Sequence, residues 1–197
     1  MNNSFDPQLT KQVIIGTKSQ SRRKIFKLMN LRFQYRSPNI SEKKVKDLNN
    51  DKYDALKIAK AKAEHLSKKY SNKIIITFDT TILFKKNTVY KCKTKKCCKN
   101  LIKSFSGRHH YLYTGMVFMI NNKIIHKKLT ETKVIFKNNN NDTINRYVDK
   151  NFIKIKSAVG CYNLEGKGSD FFENIYASYY NVLGLDIIHF LKSLKKL

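Results

Sequence analysis

Four β-branched residues in succession, Ile74-Ile75-Ile76-Thr77, set between Lys73 and Phe78, make the strongest strand signal of the chain. Asp79-Thr80 stands at its carboxyl end, where ligands gather in α/β sheets and where a carboxylate serves as metal ligand or general base. The competing reading, a turn Asp bonding its own backbone, is equally favoured by these residues alone. A second β-branched run, Val13-Ile14-Ile15-Gly16-Thr17, reads as a buried strand. After it come Lys18-Ser19-Gln20-Ser21-Arg22-Arg23 and then Ile25, Phe26, Leu28 and Met29 at helical spacing, with Ser19 or Ser21 as the cap. A strand leading into a capped helix places free backbone N–H groups beside two arginines, a seat for phosphate; an ordinary solvated first turn has the same pattern.

The rest of the chain alternates in the same way. Leu31–Arg36 reads as a strand ended by Ser37-Pro38-Asn39. From Asp54 onward, Ala55, Ile58, Ala59, Ala63 and Leu66 mark the apolar face of a helix, and Lys62 falls on that stripe. A lysine there either snorkels past the core or points into an anionic site. Thr81–Tyr90 continues as β structure around a Lys85-Lys86-Asn87 turn, Lys93–Ser104 is helical, and Ser106-Gly107 breaks that helix. Tyr111–Ile120 and Lys123–Phe136 form a long hairpin through Asn121-Asn122. Asn138–Asn141 is a solvated polar loop, Asp142 caps a helix running to Asp149, and Leu185–Leu194 is an amphipathic closing helix. No repeat or long linker divides the 197 residues, so the expectation is a flexible tail over 1–10 and a single domain over 11–197.

Several chemistries are excluded. Gly160 to Gly168 superficially suggests a phosphate loop, but five residues separate Gly160 from Gly166 and Gly168 stands where Ser or Thr should hold magnesium. There is no dinucleotide-binding glycine fingerprint, no Ser-His pair at recognisable spacing and no aromatic RNA-recognition signature. Cys92, Cys97, Cys98 and Cys161 are spaced unlike a zinc knuckle and read as reduced bystander thiols. Without a signal sequence or an apolar run of roughly 20 residues, a cytoplasmic protein with no membrane partner is expected. The 40 Lys and Arg against 14 Asp and Glu leave a net charge of +26, which points to polyanionic partners. Lys, Asn, Ile, Tyr and Phe are abundant together while Gly is 7, Pro 2 and Trp 0, so A/T-biased codon usage accounts for the larger share of that excess.

Taken in order, these segments resemble the Maf (septum-formation-inhibitor-like) family of nucleoside triphosphate pyrophosphatases. Ser19 to Arg23 looks like its Ser-x-x-Arg-Arg signature, Ile40-Ser41-Glu42 is similar to its Ile-Asp-Glu, and Ala59 to Ala63 to its Ala-x-x-Lys-Ala. Phe78-Asp79-Thr80 is similar to its Ala-Asp-Thr, and Phe105-Ser106-Gly107-Arg108-His109 followed by Thr114-Gly115 matches its Leu-Ser-Gly-Arg-x-His and Thr-Gly. Glu131 to Phe136 and Asn181-Val182-Leu183-Gly184-Leu185 close the pattern. The chain departs from it at Cys92, Ser41 and Asp186, where the family has Pro, an acid and Pro.

The resemblance implies an α/β fold: a long, mixed, twisted sheet flanked by helices, in two lobes around a cleft, with both termini in one lobe. It implies a metal-dependent hydrolase, house-cleaning in character, that splits a nucleoside triphosphate between the α- and β-phosphates. Asp79 would be proton acceptor and metal ligand, Glu42 the second ligand for Mg2+ or Mn2+, and Lys62 and Lys91 catalytic cations. Ser19, Arg22, Arg23, Thr80 and Glu165 would bind substrate, and the protein would be a homodimer. Thr80 suits a dTTP/UTP type, whereas a Glu at 165 can accept from both N1–H and N2–H of guanine, as in an N7-methyl-GTP type; this tilts the base towards guanine. The rival reading is a catalytically silent basic protein on the same fold, binding nucleic acid or regulating cell division.

Overall fold

The computed structural model describes residues 7–46 and 48–197; residues 1–6, most of the expected tail, lie outside the described residues, as does Asp47. The chain opens with α1 (Pro7–Gln12), β1 (Val13–Gly16), α2 (Gln20–Leu28) and β2 (Gln34–Arg36). A 3-10 turn at Glu42–Lys44 leads to α3 (Asp54–Ser67), β3 (Ile74–Phe84) and β4 (Asn87–Val89). Then follow α4 (Lys95–Phe105), β5 (His109–Ile120), β6 (Lys123–Phe136) and α5 (Asn141–Ile155). A second 3-10 turn at Lys167–Phe171, β7 (Phe172–Tyr176), α6 (Tyr179–Val182) and α7 (Ile187–Leu194) close the chain. No described helix is long and apolar enough to cross a membrane.

One mixed sheet of seven strands runs in the order β2-β1-β3-β5-β6-β7, with β4 also on β3. β1 lies parallel to both β2 and β3, while β4, β5, β6 and β7 pair antiparallel with their neighbours. All four residues of β1 are buried because the strand lies between two others and is covered on both faces. On one face Val13 and Ile15 join Phe26, Phe33, Phe78 and Phe190; on the other Ile14 meets Ala59, Ala63 and Leu66 of α3. α7 packs into the first of these clusters, so the C-terminal helix and the β1 region share one lobe. A separate core of Phe105, Phe136, Tyr147, Phe171 and their neighbours fills the second lobe. Its buried His110 stacks on Phe105 at 4.3 Å and bonds Tyr162; burial first, then His109, pushes its pKa down to about 3.

The structure corrects the sequence reading in four places. β3 does not end at Phe78 but runs on to Phe84, because Asp79–Leu83 pair with Gly115–Tyr111 of β5. Only its first four residues, Ile74–Thr77, pair parallel with β1, so Asp79 stands just past the carboxyl end of that parallel segment. The helix assigned to Asp142–Asp149 is α5, capped by Asn140, whose side chain accepts from the Thr143 N–H, and it continues to Ile155. The second strand is three residues long, starting at Gln34 rather than Leu31, because Leu31 and Phe33 turn into the core. Cys92 and Cys97 form a disulfide instead of two reduced thiols: the chain bends from β4 into the first turn of α4 and brings their Cα atoms to 5.4 Å. Cys98 and Cys161 are free and buried.

Candidate active site

A gap in the sheet makes the site. Along one edge of β3, β1 pairs as far as Thr77 and β4 pairs only from Ile82 onward, so the register leaves Phe78–Thr81 with no strand partner there among the described residues. The gap falls where the two cores meet, since Phe78 belongs to one and Ile82 to the other. Successive strand residues face opposite sides. Asp79 therefore faces α3 and Thr80 faces α2, yet both border the same opening.

α3 is held close to the sheet by two features. The Thr77 hydroxyl donates to the carbonyl of Ala59 at 2.6 Å. Gly115 lies so near the helix that a Cβ on it would come within 2.6 Å of backbone atoms of Ala55 and Leu56. With Ala55, Ala59 and Ala63 facing the sheet, Lys62 reaches the gap. Its ammonium donates to Asp79 at 2.5 Å and pairs with Glu42 at 2.7 Å, and its own exposure is only 9%. Of the two readings open for Lys62, the anionic site is the one realised.

The two carboxylates are tuned apart. Burial pushes the Asp79 carboxyl above its usual range; Lys62 opposes that rise and Glu42 adds to it. Burial also pushes Glu42 up, but Lys62, with Lys91 and Arg22, outweighs it and holds Glu42 below its usual range. Lys91 itself is exposed, in the segment between β4 and α4, and acts on Glu42 across the opening.

On the α2 side Ser19 is the cap, accepting from the Arg22 N–H at 3.3 Å. Arg22 is buried rather than extended into solvent: its Nε donates to the Gly184 carbonyl at 2.7 Å and its Nη2 to Thr80 Oγ1 at 3.0 Å. Burial lowers its pKa, against the pull of Asp79 and Glu42. Gly184 has φ +84 and a Cβ there would lie 2.8 Å from both Arg22 Nη2 and Thr80 Oγ1, so Gly is required on both counts. Arg23 is not drawn into the gap; it is exposed, donates to the Thr17 carbonyl at 3.0 Å and stacks over Tyr35. Glu165 lies on the rim, accepting from the Ser21 hydroxyl at 2.9 Å, with Lys24 at 4.0 Å.

Sequence reasoning missed a polar row across three strands. Thr80 shares a hydrogen bond with Thr114 at 3.0 Å, Thr114 is paired in register with Thr130, and Thr130 donates to Asp186 at 2.8 Å. Asp186, where the resemblance leads one to expect Pro, caps α7 by accepting from the His189 N–H.

Residues 12–197 match the family model described as Maf-like protein. The chain belongs to the Maf-like family. It is 30% identical over 186 residues to a dTTP/UTP pyrophosphatase of Fusobacterium nucleatum, covering 94% of this chain and 95% of that one. A dTTP/UTP pyrophosphatase of Pyrococcus furiosus is 32% identical over 182 residues, covering 92% and 93%. A 7-methyl-GTP pyrophosphatase of Rhizobium meliloti is 28% identical over 143 residues, covering 73% and 72%. Membership accounts for the mixed sheet flanked by helices of this Maf-like chain.

Proposed function

We propose that this Maf-like protein hydrolyses a nucleoside triphosphate between the α- and β-phosphates, releasing a nucleoside monophosphate and pyrophosphate, with thymine or uracil as the base. The observation that carries the reading is the Glu42–Lys62–Asp79 constellation in the sheet gap, with Arg22 beside it. A triphosphate needs cations that match the charge growing in the transition state. Lys62, Arg22 and Lys91 supply them, and Arg22, fixed through Nε and Nη2, keeps Nη1 for a phosphate oxygen.

Asp79 is the proton acceptor. Its environment raises its affinity for a proton while that of Glu42 lowers it, the arrangement by which two carboxylates divide their roles. Water adds to the phosphoryl centre, its proton passes to the Asp79 carboxylate, and the bridging oxygen leaves with the pyrophosphate. Lys62, touching both carboxylates, aligns Asp79. A divalent cation suits the donor set: Glu42 and Asp79, whose carboxylates both lie against the Lys62 ammonium, offer hard oxygen ligands and would hold Mg2+ or Mn2+, with water and phosphate oxygens as the remaining ligands. When bound, that ion neutralises phosphate charge. The dTTP/UTP assignment draws on the two relatives aligned over more than nine-tenths of this chain. Glu165 speaks for guanine, but its carboxylate is already engaged by Ser21 and Lys24.

The test measures pyrophosphate and orthophosphate released from dTTP, UTP, GTP and 7-methyl-GTP with Mg2+ or Mn2+, for the native chain and Asp79→Asn. Pyrophosphate from dTTP and UTP, with kcat reduced about 10^3-fold in the variant, is the expected outcome. Turnover of 7-methyl-GTP alone would overturn the base assignment; no pyrophosphate from any of the four would overturn the reaction.

A further inference from the structure

Three of the chain's four cysteines meet at one point of the second lobe, although they come from distant segments, and the fourth is bonded to one of them. Cys92 lies in the connection after β4, Cys97 and Cys98 in the first turn of α4, and Cys161 in the turn after α5. The sulfurs of Cys92, Cys98 and Cys161 lie within 4.8 Å of one another, and all three residues are buried. Cys97, exposed on the first turn of α4, is bonded to Cys92, which keeps the fourth sulfur one S–S bond from that group. One or two buried cysteines are ordinary small apolar fillers; convergence of three buried sulfurs from three segments, with the fourth cysteine tethered to one of them, is not accounted for in that way. Cys161 moreover holds φ +56, a conformation that a residue with a Cβ adopts at a cost.

We propose that, with the Cys92–Cys97 disulfide reduced, the four cysteines hold one structural Zn2+ in a site made only of thiolates. With Zn–S bonds of about 2.3 Å, neighbouring sulfurs in a tetrahedral site stand about 3.8 Å apart, the scale of this cluster. A phosphine reductant gives two electrons to Cys92–Cys97 and ends as its oxide, with water supplying the oxygen and the two thiol protons; the four thiols release their protons to solvent as the ion binds. A zinc held by four thiolates carries net negative charge, and Lys91, Lys93, Lys95, Lys96 and Lys99 surround it in sequence. An open cavity of about 720 Å³, lined by Tyr90, Thr94 and Lys96, reaches Cys92 and Cys97 and gives the ion an entry path. Such a site ties the segment that carries Lys91 to the turn of Cys161.

The full-length chain, purified with the phosphine and no chelator, is analysed for metal, and the ion is then exchanged for Co2+. About one zinc per chain and an intense thiolate-to-cobalt charge-transfer band are expected. Both should be lost in Cys98→Ser and Cys161→Ser; should those variants not fold, the cobalt spectrum of the unaltered chain decides. Stripping the zinc should lower the thermal midpoint by on the order of 10 °C. A reduced, folded chain that holds no zinc and gives no cobalt–thiolate band overturns the proposal, as does a Cys92–Cys97 disulfide that persists in the reductant.

Discussion

The Lys62 ammonium stands 2.5 Å from Asp79 and 2.7 Å from Glu42, so its removal leaves two carboxylates facing each other with Asp79 only 8% exposed. Breaking a buried pair by deleting one partner costs about 3–5 kcal/mol, because the remaining charge has lost its compensation. Glu42 is half open to water, which places the expected cost of Lys62→Met at the low end, about 3 kcal/mol. If the loss comes from the orphaned charge and not from the shortened stem, Asp79→Asn in the same chain should return part of it. The double variant should then be more stable than the sum of the single changes by about 1–3 kcal/mol. Urea unfolding without divalent ions measures this, and strictly additive losses would mean that the contact carries no energy. Lys62 was legible as a candidate in the sequence but not decidable from it. Its place on the Ala55–Leu66 stripe was visible, whereas its partners come from a 3-10 turn 20 positions before it and a strand 17 positions after it.

Among the elements, α3 decides whether Lys62 and Asp79 meet, and Gly115 decides how close α3 can come. A methyl on Gly115 would meet backbone at 2.6 Å, not the movable end of a side chain, so the helix itself must shift. Gly115→Ala should therefore cost about 3 kcal/mol, the upper end for overpacking. By displacing Lys62 from Asp79 it should also lower kcat by about 10^2-fold. Gly166→Ala, whose Cβ would meet nothing nearer than Asn163 Nδ2 at 3.6 Å, is the control and should stay within about 0.5 kcal/mol of the native chain. Equal effects at the two positions, by thermal unfolding and pyrophosphate release, would refute the argument. α2 and α3 were legible because burial on one helix face leaves a period in the sequence, β1 because a strand buried on both faces is a β-branched run, and the β5–β6 hairpin through its Asn121-Asn122 turn. β7 was not: in Phe172-Glu173-Asn174-Ile175-Tyr176 an edge strand with one buried residue and a bulge against β6 carries no alternation to read. The Thr80–Thr114–Thr130 row escaped for a different reason, since pairing register between strands is a property of the sheet and not of any one segment.

For the molecule as a whole, the +26 charge has two consequences of opposite sign. Like charges spread over one small surface repel, and compaction brings them together, so screening should favour the folded state. Raising NaCl from 0.1 M to 1 M shortens the Debye length from about 10 Å to about 3 Å, and the thermal midpoint should rise. The encounter with a polyanionic nucleotide depends on the same field acting at long range, so kcat/KM should fall over that interval. kcat should change little, because the Lys62, Asp79, Glu42 and Arg22 contacts are short and largely shielded from salt by burial. The size of the fall in kcat/KM separates the two accounts of the lysine excess. A charge selected to feed the cleft should give a decline of about tenfold or more, as expected of a focused field. A background of codon bias, distributed without regard to the cleft, should raise the midpoint just as much while leaving kcat/KM nearly flat. Thermal scans and initial rates across one salt series measure both quantities on the same protein, and a fall in kcat matching that in kcat/KM would show instead that salt reaches the charges inside the gap.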